Sequence, residues 1–583
     1  MMKHFLSFVA ITALVGCGGS KEETQDQNKT IEKENHYGGV FRMPLESHFT
    51  STRINELKKF EESQIYWQIF DGLVKYDPKT LDIEPAIAES WSVSADGLTY
   101  KFNLRDDVFF HDNTCFENGK GRRVQPSDVK YTFEQVYAKS PNNSAYSVFN
   151  HTILGGDEFH EGKVDSIAGI QLGENTVTFT LQEPGLSFIQ KLATVFGSII
   201  APEAFNDDQF LLVGTGPFIF DELNSDSAIV RLARNPKYYT KDENGDQLPY
   251  LDSVTFSLYD DVNEQMDEFW EGHLSYIRKV PVNKLSSVLD DKIDDFKNKP
   301  PKYILHSEPE LATTYLQLNM TTPVLKKKKV RKALNYAINR NKIVDKIIKN
   351  QAYGAGQYGI TPPLKKSFEE YDFEGIKDVS YSYNPDTARA LLAAADYPNG
   401  KNFPTLEMQF RQGGIDYLIA SEIQKQLISV LNINIEISAV DFNVMLDNKS
   451  KGEADIFRTN WVGDYPTPEA FLANAYGKVI PKSKKHPSFL NTSRYHNKEF
   501  DELFEKGAAA SDAKEALKYF NQAEKVLMED AVFIILWYGE DMALEQAALR
   551  DYDLNSIGYI DLRSAHFKTP TADEYVDASE DKK

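Results

Sequence analysis

Apolar side chains recur along this chain with two different periods, and each period points to an element. Leu98, Tyr100, Phe102 and Leu104 alternate with Thr99, Lys101 and Asn103, which predicts a strand with one buried face. Val177, Phe179 and Leu181 alternate in the same way with Thr176, Thr178 and Thr180, and Gly38–Pro44 reads as a first strand. Helical spacing takes over in Phe60, Ile65, Ile69 and Leu73. From Val330 to Lys349 the pattern predicts one amphipathic helix, with Val330, Leu334, Ala337, Ile338, Val344, Ile347 and Ile348 on its apolar side. Ser127, next to Pro126, is expected to cap the helix that carries Val129, Phe133 and Val136. Asn384-Pro385 supplies a cap and a first-turn proline for a helix through Leu391 and Leu392.

The most informative stretch combines both periods. Thr405–Phe410 alternates, Asp416–Leu431 repeats helically through Ile419, Ile423, Leu427 and Val430, and Ile433, Ile435 and Ile437 alternate again. Strand, helix and strand at this spacing predict a βαβ unit with a parallel pair, which marks an α/β fold. Phe500–Met528 is helical by the same test, and Val532–Trp537 is a fully apolar strand. Asp96-Gly97 is a hairpin turn by its own chemistry, and Gly214-Thr215-Gly216-Pro217 turns into Phe218-Ile219-Phe220. The chain has no internal repeat.

The first residues follow a different logic. Lys3 and His4 precede an apolar run from Phe5 to Val15, far short of the ~20 residues a bilayer requires. This is the pattern of a signal peptide, residues 1–16. Leu14-Val15-Gly16-Cys17 resembles the bacterial lipobox, which implies cleavage before Cys17 and a lipid on its sulfur. An ordinary secretory leader with a chance cysteine is the alternative. Residues 17–36 are polar and charged and read as a flexible tether, and residues 569–583 read as a disordered tail. Gly18 lacks the aspartate of an inner-membrane retention signal, and Lys21-Glu22-Glu23 faintly resembles surface-export signals. The membrane that carries the anchor, inner or outer, and its side, periplasmic or surface, are left open.

Composition narrows the function. The 583 residues carry a net charge of −22, and 41% are hydrophobic. That balance lacks the basic footprint of a nucleic-acid binder and supports two or more large cores; the local run Lys326–Lys329 reads as a solvated loop or helix start. With Cys17 lipidated, only Cys115 remains, so no intrachain disulfide is available. Enzyme signatures are weak. Ser127-x-x-Lys130, Ser511-x-x-Lys514 and Ser579-x-x-Lys582 all match SxxK without a KTG partner, and neither HExxH nor GxSxG occurs. Asp242-Glu243-Asn244-Gly245-Asp246 lacks the downstream ligands of a calcium loop and reads as a turn. His111 reads as a packed histidine. No metal or cofactor is expected.

Between Ala88 and Phe133 the chain resembles the family 5 extracellular solute-binding proteins, the group that holds oligopeptide- and dipeptide-binding proteins of ABC importers. The resemblance rests on Glu89-Ser90-Trp91, Tyr100-Lys101-Phe102, Phe110-His111 and Tyr131-Thr132-Phe133, then on Gly214–Phe218, Arg234-Asn235-Pro236, Leu248–Asp252 and Val330-Arg331. It extends from about Gly38 to Phe567. An insertion carrying Cys115 and Gly119-Lys120-Gly121 departs from the family pattern.

The resemblance implies an α/β protein with a two-lobed periplasmic-binding-protein fold (type II, with an extra small domain) and a Venus-flytrap hinge. Domain I would be discontinuous, over 37–72, 193–305 and 541–568; a small domain II would span 73–192 and domain III 306–540. The chain would cross between lobes near Glu308 and near Tyr538. Trp461-Val462-Gly463-Asp464-Tyr465-Pro466-Thr467-Pro468 is similar to the segment of oligopeptide-binding members whose aspartate pairs with the ligand's α-ammonium group. A cleft that strips water from a peptide's terminal cation must return an opposite charge, and Asp464 is the expected partner. Trp461 lines the pocket or packs beneath the loop. Val462 and Gly463 would offer backbone groups to an extended peptide, with Tyr465 beside them. Arg458 and Arg411 are candidate partners of a ligand carboxylate. The other lobe would bring Lys58, Lys59, Phe60, Glu61 and Glu62 near the cleft. The expected partners are a peptide, ABC importer permease subunits and a membrane reached through Cys17, with the protein a monomer. Alternatives are the same fold around an oligosaccharide, metal chelate or haem, or a secreted enzyme or adhesin.

Overall fold

The computed structural model describes residues 36–45, 48–49, 53–57, 59–140, 142–205, 210–224, 228–259, 261–280, 292–364, 368, 370–483, 486–488, 490–510 and 512–571. The expected signal peptide, Cys17, nearly all of the tether, Lys58 and most of the expected tail lie outside them.

Three sheets organise the described chain. A small antiparallel sheet runs in the order Ala88–Val93, Thr99–Leu104, Thr176–Thr180, Ile170–Leu172. Its inward faces are those the alternation predicts, with Tyr100, Phe102, Val177 and Phe179 all buried. Gly97 makes the turn between the first two strands with a φ of 69°, where glycine alone pays no steric penalty. A second sheet runs Val40–Leu45, Ser253–Leu258, Ile229–Arg234, Phe218–Leu223, and only its first pair is parallel.

The third sheet has seven strands. Its main order is Tyr276–Ile277, Phe533–Gln546, Tyr303–Leu318, Ile456–Val462, Leu406–Arg411, Ile435–Val440, with Ala352–Ala355 also paired to Phe533–Gln546. The predicted βαβ unit is its far edge: Leu406–Arg411 and Ile435–Val440 pair in parallel, joined by the helix Asp416–Leu431. Two strands are long, Tyr303–Leu318 and Phe533–Gln546, and they run antiparallel along each other from Tyr303↔Gln546 to Gln317↔Phe533. Their ladder breaks between Pro309 and Thr313, opposite Gly539. The small sheet draws only on residues between 73 and 192. The second draws on residues before 73 and between 193 and 305. The third is built mostly from residues beyond 305.

Four local expectations are corrected. The helix after Gln125 starts at Pro126 and is not capped by Ser127; the Gln125 backbone N–H donates instead to Asp128 Oδ2 at 2.8 Å. The helix at Phe60 ends at Ile69, because Phe70 turns extended and Gly72 then bridges to Ser198. The run Phe500–Met528 is two helices, Lys498–Ala508 and Ala513–Glu529, the second capped by Asp512. Val330–Lys349 is likewise not one helix. Lys328–Ala337 stops at an extended Ile338, and Asn339 caps a new turn at Arg340–Ile343 by accepting from the Lys342 N–H. The cause is the buried Arg340, whose guanidinium donates to the carbonyls of Asn335, Ile338, Tyr381 and Ile535. Carbonyls released by the break thereby find donors, as buried backbone requires.

Candidate functional site

The site forms where the strand Ile456–Val462 leaves the large sheet. Ile456 and Phe457 anchor the strand in the core. At its end the Gly463 N–H donates to the Leu311 carbonyl at 2.9 Å. A Cβ at Gly463 would sit 2.8 Å from Leu311 Cδ2 and 2.9 Å from Phe471 Cε2, so only glycine lets the loop lie this close. Tyr465 returns to the core and its hydroxyl donates to Glu469 Oε1 at 3.3 Å. The Trp461 indole N–H donates to the Ala470 carbonyl at 2.8 Å, with the ring half-buried against the core. Trp461 and Tyr465 therefore brace the loop from beneath, while Val462, 50% exposed, and Asp464 stay open to water.

Water reaches Asp464, yet protein surrounds it closely enough that loss of solvation lifts its carboxyl to about 6; the Lys191 ammonium acts in the opposite sense. Lys191 sits on the short helix Ser187–Leu192. Burial lowers its pKa, and Glu469 and Asp464 oppose that effect. Its Nζ lies 5.7 Å from the Tyr465 ring centroid and donates to Thr152 Oγ1 at 3.4 Å. The Ser187 hydroxyl donates to Glu469 Oε1 at 3.1 Å, so the same helix meets the loop twice. Tyr76 completes the surround: its hydroxyl donates to the Gln190 carbonyl, and burial followed by the Asp464 charge pushes its pKa far up.

The two arginines converge on one carboxylate. Arg458 Nη1 lies 2.9 Å from Asp416 Oδ1 and Arg411 Nε lies 3.5 Å from Asp416 Oδ2. The Arg458 side chain is 14% exposed and its guanidinium sits 5.5 Å from the Trp537 ring centroid. Arg411 is 58% exposed. Two cations on one carboxylate leave a net positive charge at the end of the strand Leu406–Arg411 and beside Arg458 of the strand Ile456–Val462.

Phe60 is 37% exposed, and its ring meets Trp67 at 6.0 Å and Arg278 at 5.9 Å. Glu62 is buried and its charge reaches Tyr66; Lys59 is exposed and donates to the His48 carbonyl. A chain of contacts links this segment to Asp464. Gly558 lies beside Phe60, Ser556 accepts from the Leu311 N–H at 2.7 Å, and Leu311 accepts from Gly463. Trp67 and Tyr76 meet Tyr559 at 5.1 and 6.0 Å, forming an aromatic wall that leads to Asp464.

The sequence alone does not single out Lys191, Glu469, Tyr76 or Asp416 as candidate site residues. Glu469 and Asp416 had local signals, the first five residues beyond Asp464 and the second in a helical first turn beside Arg411. Lys191 and Tyr76 had none, because long-range folding alone brings them to the loop. Among the described residues Glu268, Glu271 and His273 bring possible metal-ligand atoms within 4.8 Å of one another. His273 Nδ1 already lies 3.1 Å from Glu268 Oε2, and a hydrogen bond accounts for that arrangement. No described helix is long and apolar enough to cross a membrane.

A sequence profile of the bacterial extracellular solute-binding proteins, family 5 Middle, matches residues 82–482. A probable di/tripeptide-binding protein 5 of Pseudomonas aeruginosa (strain UCBPP-PA14) is 26% identical over 508 residues, 84% of this chain and 88% of that protein. Heme-binding protein A of Haemophilus influenzae is 27% identical over 507 residues, 84% of this chain and 85% of that protein. The ABC transporter-associated periplasmic binding protein DppA from Helicobacter pylori, solved in complex with peptide STSA, superposes with a TM-score of 0.73 at 23% identity. The match covers 92% of this chain and 99% of that one. The architecture is therefore that of the periplasmic binding proteins.

Proposed function

The chain belongs to the bacterial extracellular solute-binding proteins of family 5, and from that membership we propose that it captures peptides by their amino end and delivers them to an ABC importer. The observation that carries the reading is Asp464, a carboxylate open to water but walled by Tyr76, Tyr465 and Lys191. A free α-ammonium entering this space supplies a cation where solvation has been lost. Val462 presents the end of a strand along which an extended peptide can lie. The Gly463 N–H is already used by Leu311, so backbone recognition falls to its carbonyl and to Val462. Arg411 and Arg458 offer the opposite charge for a carboxylate end. The name of the Pseudomonas relative fits the same ligand class.

The rest of the reading follows from it. Residues 37–72, 193–305 and 541–568 form one lobe, 73–192 an extra small domain and 306–540 the second lobe. The paired strands that break at Pro309–Thr313 and Gly539 serve as the hinge, and ligand favours the closed state because both lobes touch it there. Cys17 carries a lipid anchor, the protein acts as a monomer, and it turns over no substrate.

Calorimetry with di- to pentapeptides, each free and N-acetylated, tests the reading. Asp464→Ala is expected to weaken binding of free peptides by about 2–5 kcal/mol and to leave acetylated ones nearly unchanged. Equal binding of free and acetylated peptides by the unaltered protein would refute the role of Asp464. Native mass spectrometry of co-purifying ligand checks the class: peptides support the reading, and a porphyrin or sugar replaces it.

A further inference from the structure

Two carboxylates and one ammonium share the seam beside the site. Lys191 comes from the helix Ser187–Leu192, and Asp464 and Glu469 come from the loop it faces. Among the described residues no carboxylate oxygen lies within 4.0 Å of its Nζ, so the lysine is committed to neither acid. Its one polar contact is the Thr152 hydroxyl at 3.4 Å, and its flank is the Tyr465 ring. His151, next in the chain to Thr152, also feels its charge but is itself paired with Asp157 at 2.7 Å. Glu469 has other company, accepting from both Ser187 and Tyr465. Among the described residues Asp464 has no such donors in its surround, and Lys191 is the one cation whose charge acts on it.

We propose that Lys191 is a resident counter-ion of the ligand cleft, which balances Asp464 while the cleft is empty and opposes the cation of an arriving ligand. The inference rests on the peptide reading above and adds to it a residue that sets affinity. With no ligand, the lysine offsets part of the cost of holding a carboxylate in a poorly solvated space. When an α-ammonium settles on Asp464, a second cation enters the space in which the Lys191 charge already acts, where screening by bulk water is weak. The site's hold on an amino end is thus the attraction of Asp464 less the repulsion of Lys191. Such a setting suits a carrier that must also let go.

The test compares the unaltered protein, Lys191→Met and Lys191→Arg by calorimetry at about pH 7, above the value of about 6 at which Asp464 ionises and below the ~7.7–8.0 at which a peptide amine loses its charge. The probes are dialanine to pentaalanine, each with a free and an N-acetylated amine. Lys191→Met is expected to bind the free-amine peptides roughly ten times more tightly, to leave the acetylated ones within about two-fold, and Lys191→Arg to stay near the unaltered protein. Unchanged or weaker binding of free-amine peptides by Lys191→Met overturns the proposal. Lys191→Gln repeats the comparison if the methionine variant does not fold. Failure of the peptide reading looks different: there the unaltered protein itself does not distinguish free from acetylated peptides.

Discussion

Asp464 is the side chain at which the proposed ligand binding and the stability of the fold would be coupled. Its carboxyl is raised to about 6 by loss of solvation, above the ~3.9 of an unfolded chain, so the folded state holds the proton more tightly. The stability this group contributes is present below the unfolded value and is lost as pH rises through about 6. Asp464→Asn is therefore expected to raise the melting temperature of the ligand-free protein at about pH 8, with the gain shrinking as pH falls through about 6; scanning calorimetry across that window checks it. In the proposed role of Asp464, ligand affinity has the opposite slope, because the ammonium would need the ionised acid. Binding of free peptides should weaken about tenfold per pH unit below about 6, and a flat profile from pH 4 to 8 would remove Asp464 from the site. His111, the other residue at this scale whose role sequence could suggest, is buried, bonds to the Gly216 carbonyl at 2.9 Å and is pushed down to about 4 by burial. Asp464 was legible as a candidate because its neighbours Trp461, Gly463 and Tyr465 form a local pattern. Lys191 was not, since its approach to the loop depends on contacts 273 positions distant in chain numbering.

Elements were legible where a period stays within one window. The βαβ unit was read nearly to its ends, and the small sheet's buried faces follow its alternation. The failures are breaks. The periodicity of Val330–Lys349 continues through Ile338 because both sides of the break present apolar residues to the same core, so period alone does not register the interruption. What enforces it is Arg340, which takes four backbone carbonyls and the Asn335 side chain. Arg340→Met is expected to cost more than about 3 kcal/mol, because several buried acceptors lose their donor at once. Asn339→Ala removes only the cap and should cost about 1 kcal/mol. Urea denaturation of both variants measures the difference, and equal costs would show that the cap, not the arginine, holds the break.

At the scale of the whole molecule the decisive feature is the pair of long strands, Tyr303–Leu318 and Phe533–Gln546. Sequence suggested crossings near Glu308 and Tyr538 only through family resemblance; periodicity marks a strand but says nothing about which strand lies beside it. Around the break the packing is close. Arg278 donates to Asp541 with both side chains buried, and a Cβ added at Gly539 would lie 3.2 Å from Glu310 Cβ and 3.3 Å from Ala312 Cβ. If the lobes swing here, Gly539→Val crowds the pivot. Small-angle scattering should then show a smaller ligand-induced contraction in the variant than in the unaltered protein, and an identical contraction would place the pivot elsewhere.

The hydrogen bond from Gly463 to Leu311 has a mechanical consequence. It fastens the residue just before the charged group to the very strand on which the halves would turn, with no slack link between them. On the proposed hinge and site, a guest that tugs on Asp464 would pull on the axle directly, and the rim of the molecule would report to an outside observer what chemistry has taken place within.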